Sequence, residues 1–182
     1  DSQFDTYMDL LMSKYSDDLS VRALHSDFLK KDNKLQEAKK ELEFILSRDK
    51  NNYLIWEELL LLCNETADTV GMYKTGTEAI KYFPDQPLPY ALSGISLMMQ
   101  KDFKSAMPFF QKGVELAGDK LELKSQFYSY LADCYYNLDS VQQAFDMFDQ
   151  VLLINPDDAL VSNNYAYYPS SRNEKLELAE RM

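Results

Sequence analysis

A small side chain four residues ahead of a large apolar one recurs along this chain, and its phasing constrains the fold more than any other feature. QEAKKELEFIL sets Ala38 four residues before Leu42, KSAMPFFQKGV sets Ala106 four before Phe110, and QQAFDMFDQVL sets Ala144 four before Phe148. GMYKTGTEAI holds Met72 and Gly76 in the corresponding places, and LELAERM offers Ala179. From Ala38 to Met72 is 34 residues, from Met72 to Ala106 34, from Ala106 to Ala144 38, and from Ala144 to Ala179 35. Self-similarity at such a period marks a repeat array, in which one supersecondary unit is stacked on the next.

A second small residue precedes each of these. Ser26 lies 12 residues before Ala38, Gly94 12 before Ala106, Ala132 12 before Ala144, and Ala166 13 before Ala179. Between the two small residues stands a turn signal: KDN, NETAD, QKD, NLDS or SSRN. In these turns Asn33, Asp68, Asp102, Asp139 and Asn173 are expected to accept hydrogen bonds from the free amides that open the next helix. Each unit therefore reads as helix, turn, helix. The small residues let the two helices approach, and the large ones fill the space beside that contact.

The chain has 182 residues, 46% of them apolar, which is enough for a core. Five glycines and six prolines are few for an all-β protein with many tight turns. A formal net charge of −11 argues against nucleic acid and anionic membrane surfaces, which need clustered cations, and leaves apolar or basic partners open. No apolar run is long enough to cross a bilayer; LLLLC at 59–63 is far too short. The chain begins at Asp1 and stops inside a helical pattern, so it reads as a fragment of a longer protein, and no compartment is legible.

The repeat resembles the tetratricopeptide repeat (TPR), a family of 34-residue helical hairpins. The 125–158 unit matches it best, with Tyr128, Leu131, Ala132, Tyr135, Ala144, Phe148 and Pro156, and Val151 in place of an alanine. The 87–124 unit keeps Tyr90, Gly94, Leu97, Ala106 and Phe110 but has Gly113 and Gly118 where Ala and Pro are usual, and carries an insertion near GDKLELK. The 53–86 unit keeps Trp56, Leu59, Ala79 and Pro84; its large Leu60 and Met72 and its small Gly76 look like a volume-conserving exchange at one helix contact. The 19–52 unit is weaker, with Lys50 in place of the proline. Residues 1–18 look like the second helix of a preceding repeat, and 159–182 like a partial repeat in which Pro169 is expected to kink a helix or end it early. The resemblance implies an all-α, right-handed α-solenoid of such hairpins.

Catalytic chemistry finds little support. His25 is the one histidine, at a packing place of its repeat, and with no cysteine nearby it makes no zinc site. SRDK at 47–50 matches an SxxK pattern without its partner motifs, and VGMYKTG at 70–76 is no phosphate loop. Cys63 and Cys134 are two repeats apart, on the order of 20 Å in a solenoid and too far for a disulfide; both read as small buried residues. The carboxylates of KKELE and LELKSQ read as solvated. The expectation is a chain with no catalytic residue, no metal and no cofactor.

In the TPR family the first helix of each hairpin lines a groove. The resemblance assigns to that groove Leu92 and Ile95 in the 87–124 unit. In the next unit it assigns Gln126, Tyr130, Asp133, Tyr136 and Asn137, and in the last Asn163, Asn164 and Tyr167. Leu54, Glu57, Glu58 and Leu61 are the matching residues of the 53–86 unit. Tyrosines beside amides suit recognition of a peptide or helix. The clamp with which some family members hold acidic chaperone tails is missing, because Ala23, Asp27 and Glu58 stand at its places. The expected function is a protein-interaction scaffold; the alternative is a regulatory or spacer segment of a larger protein with no groove ligand. Either a loose C-terminus or an end-to-end self-contact through the truncated last repeat is also expected.

Overall fold

The computed structural model describes residues 2–157 and 161. Those residues form nine α-helices and no strand: α1 (Ser2–Lys14), α2 (Leu19–Lys31), α3 (Leu35–Arg48), α4 (Tyr53–Glu65), α5 (Thr69–Tyr82), α6 (Pro87–Met99), α7 (Phe103–Ala117), α8 (Leu121–Asn137) and α9 (Val141–Ile154). None of them is long and apolar enough to cross a membrane. The chain divides into two compact units, Asp1–Leu92 and Ser93–Met182, with the boundary inside α6. In the first unit α1 packs on α2, α2 on α3, α3 on α4 and α4 on α5. In the second, α7 packs on α8 and α8 on α9. Pro169, Asn173 and, apart from Val161, the partial 159–182 repeat lie outside the described residues, as does the expected self-contact.

Four helix–helix turns share one backbone solution. Asn33, Ala67, Lys101 and Asp139 all have positive φ, at 59°, 50°, 62° and 60°. In each turn the following amide reaches back to a carbonyl five residues earlier: Lys34 to Leu29 at 2.8 Å, and Asp68 to Cys63, Asp102 to Leu97 and Ser140 to Tyr135 at 2.9 Å. With the shorter bonds from the positive-φ residues themselves, such as Asn33 to Lys30 at 3.0 Å, these are Schellman C-caps. The recurring element is thus the end of the first helix.

This corrects the sequence reading of two residues. Asp68 and Asp102 do cap their helices, accepting from Gly71 N at 2.8 Å and Ser105 N at 3.2 Å. Asn33 and Asp139 do not; they hold the left-handed position, while Lys34 and Ser140 occupy the N-caps without a side-chain cap bond. Asn and Asp are the non-glycine residues that tolerate that conformation best, so the same composition served a different need.

The small-residue contacts form as the spacing predicts. Ser26 and Ala38 are both fully buried, and the Ser26 hydroxyl donates to the Ala38 carbonyl at 3.4 Å. Ala132 is buried with Phe145, Phe148, Val151 and Val161 in one cluster. Leu60 and Met72 are wholly buried, and Gly76 is buried on the same helix as Met72. Trp56 and Tyr90, which open successive first helices, each donate to a carbonyl six residues upstream: Nε1 of Trp56 to Lys50 at 2.9 Å, and the Tyr90 hydroxyl to Pro84 at 3.1 Å. These bonds tie each aromatic to the end of the helix before it and satisfy its polar end as the ring is buried.

The KKELE segment departs from expectation. Lys39 and Glu41 are 6% and 8% exposed. Nζ of Lys39 pairs with Asp68, and Glu41 accepts from Arg22 at 2.6 Å and lies 3.0 Å from Nδ1 of His25. The Arg22 guanidinium also sits 4.0 Å over the Phe44 ring. His25 is therefore a half-buried structural histidine. Two further pairs, Lys30–Glu58 and Lys50–Glu78 (3.2 Å), run the same way as Lys39–Asp68. All three fasten a lysine of α2, α3 or the following loop to a carboxylate 28 or 29 residues later.

Candidate functional site

The candidate site in the second unit is one face of α8. Gln126, Tyr130, Asp133 and Asn137 follow one another at spacings of four, three and four residues, which places them on a single helical stripe, with Tyr136 beside it. The opposite stripe supplies the core: Phe127, Leu131, Ala132 and Cys134 are buried. α8 is thus held by one side against α7 and α9 and leaves the other partly open.

The stripe is graded in exposure. Gln126 and Asn137 at its ends are exposed, and Tyr130, Asp133 and Tyr136 between them are half-buried. Tyr130 stacks on Phe110 of α7 with ring centroids 4.9 Å apart and packs edge-on to Phe127 at 6.5 Å. Burial, with the Asp133 carboxylate secondary, holds its phenol above the ordinary tyrosine pKa of 10.0. It stays neutral at physiological pH, its ring position set by two aromatic neighbours. Nδ2 of Asn137 donates to the Asp133 carbonyl at 2.8 Å, which orients the exposed amide.

The other expected groove residues fare differently. Ile95, in the second unit, is half-buried. Leu92, in the first unit, is 5% exposed and has little surface to offer a partner. Asn163, Asn164 and Tyr167 lie outside the described residues. On α4, Leu54 and Leu61 are 68% and 49% exposed, while Glu58 is engaged by Lys30.

Among the described residues no group of three or more His, Cys, Asp or Glu is arranged to hold a metal ion. Cys63 and Cys134 are free and buried. Burial raises both thiols, Cys134 to about 12, so neither is poised as a nucleophile.

No protein-family model matches this sequence. No curated protein matches it either. Solved structures do. A MamA crystal structure superposes with a TM-score of 0.78 at 12% identity, over 89% of this chain and 86% of that one. MamA from Desulfovibrio magneticus RS-1 gives 0.76 at 15%, covering 90% of each chain. YrrB, described as a TPR protein with an unusual peptide-binding site, gives 0.73 at 15%, over 95% of this chain and 87% of its own. Likeness at this identity speaks of the fold, and the fold is the all-α TPR solenoid type.

Proposed function

We propose that this chain is a protein-interaction scaffold that binds an extended peptide or a helix of a partner protein along the open stripe of α8. The observation that carries the reading is the stripe itself: two half-buried tyrosines, one of them locked by Phe110, between exposed amides at Gln126 and Asn137. Ordered tyrosine offers apolar area and a hydroxyl at little entropic cost, and amides bond a peptide main chain. YrrB, which shares the fold, is described as having a peptide-binding site.

The reading includes no catalysis and no cofactor. The half-buried Tyr136 and exposed Asn137 are the contact residues to test. Peptides that bind the intact chain, selected from an array, are measured against Tyr136→Ala and Asn137→Ala. Each substitution is expected to weaken binding about tenfold, matching a lost aromatic or amide contact worth about 1–2 kcal/mol. Unchanged affinity in both variants rejects this site.

A further inference from the structure

The first unit holds a concavity of its own, on the side formed by second helices. α3 and α5 flank a cavity of about 280 Å³ whose apolar lining is Leu46, Trp56 and Leu59. Ser47 on α3 and Thr75 on α5, both small, line it as well. The volume lies just under the roughly 300–1,000 Å³ of small-molecule sites, so it suits one inserted side chain better than a cofactor.

Its mouth carries an unusual charge arrangement. Lys50 and Glu78 line it but are paired with each other at 3.2 Å. Glu43 on α3 and Lys74 on α5 line it too, both exposed, and among the described residues neither makes an ion pair. One unpaired anion and one unpaired cation thus come from opposite helices around an apolar floor that includes a tryptophan.

We infer that this cavity is a docking site for a partner peptide that inserts an aromatic or branched apolar side chain between a basic and an acidic residue. The basic residue meets Glu43, the acidic one meets Lys74, and the apolar side chain rests against Trp56 and Leu59. Complementarity of both charges to the two unpaired groups selects this occupant over a uniformly basic or acidic one. The rigid floor helps: Trp56 is fixed by its bond to the Lys50 carbonyl at 2.9 Å and stacks on Tyr82 at 6.0 Å. The site shares no residue with the α8 stripe.

A random-peptide display library selected on the intact chain tests the inference. The expected result is a class of peptides with an apolar residue flanked by opposite charges. Its binding falls at least tenfold in Ser47→Trp, which fills the cavity from an exposed position, and several-fold in Lys74→Glu. The double charge exchange Glu43→Lys with Lys74→Glu is expected to restore it for peptides of reversed charge order. Tyr136→Ala leaves this class unaffected, which separates its fate from that of the α8 stripe. Circular dichroism establishes that each variant is folded; Lys74→Glu, at the surface, carries the test if Ser47→Trp is not. The inference is overturned if no such class is enriched, or if the enriched peptides bind Ser47→Trp and Lys74→Glu as they bind the parent chain.

Discussion

Gly94 of α6 and Phe110 of α7 meet so closely that residue 94 has no room for a side chain: a β-carbon there would lie 2.6 Å from Cζ of the phenylalanine. Carbon atoms ordinarily settle at about 3.5–4.0 Å. Gly113 and Phe127 stand in the same relation one helix later. In both places the ring belongs to the buried core and has little freedom to yield.

Gly94→Ala therefore destabilises the chain, although alanine is the better helix former. Helix propensity favours alanine by about 0.8–1.0 kcal/mol, and overpacking costs about 1–3 kcal/mol, so a net loss of about 1 kcal/mol is expected. That corresponds to a fall of roughly 2–4 °C in thermal midpoint for a chain of this size. Calorimetry decides it; a rise in midpoint would show that Phe110 moves aside freely.

Ala67→Gly is expected to act in the opposite direction. Alanine at φ 50° carries the left-handed strain, about 1–2 kcal/mol, while glycine adds unfolded-state freedom worth about 0.4–1 kcal/mol. A net gain of about 0.5–1 kcal/mol should appear in urea unfolding. Gly118→Ala isolates backbone strain at another turn: its φ of 53° and ψ of −119° lie outside the left-handed region, in a conformation where glycine alone is at ease, and nothing lies within 4 Å of the added carbon, so it should lose about 1–3 kcal/mol.

The Asp68 carboxyl is held below its ordinary 3.8 by the hydrogen bond from Lys39, and next by the Gly71 amide. A depressed carboxylate contributes stability that is complete above its unfolded pKa and is lost as pH falls through the folded one. Acidification from about pH 5 to about pH 2 should therefore cost the parent chain more than it costs Asp68→Asn, which keeps a capping oxygen but has no charge to lose. At neutral pH the variant should be weaker by about 1–3 kcal/mol, since Lys39 is left buried without its partner. Equal pH slopes for the two proteins in urea titrations would remove the pair from the account.

Neither thiol should react in the folded chain. Cys134, 0% exposed and pushed up to about 12, and Cys63, 1% exposed, are protonated and shielded at about pH 8. An aromatic disulfide reagent is expected to label fewer than one thiol per chain in buffer and two in strong denaturant. Rapid labelling of either under native conditions would contradict its burial.

Much of this architecture is legible in the sequence because the repeat is written in side-chain volume. Ser26 with Ala38 and Ala132 with Phe148 report local helix-on-helix contacts, whose spacing is set by the helical period. The tyrosine and amide stripe of α8 is what the resemblance to the TPR family assigns to the groove. Its rigidity is not legible there, because the stacking of Tyr130 on Phe110 joins two helices.

What escaped the sequence was decided by partners far apart along the chain. KKELE looks like a solvated run because charged residues on a helix usually are, and only tertiary packing brings Asp68 to Lys39, and Arg22 and His25 to Glu41. Asn33 and Asp139 have the composition of caps, and the backbone placed them one residue earlier, at the left-handed turn. The cavity over Trp56 exists because α3 and α5 stand apart across it, a separation no local pattern encodes. The sequence by itself thus determined the hairpins and their phase, through volumes repeated at short range. The tertiary structure decided which charges are buried, which remain unpaired and where concave surface opens, because those depend on how one hairpin rests on the next.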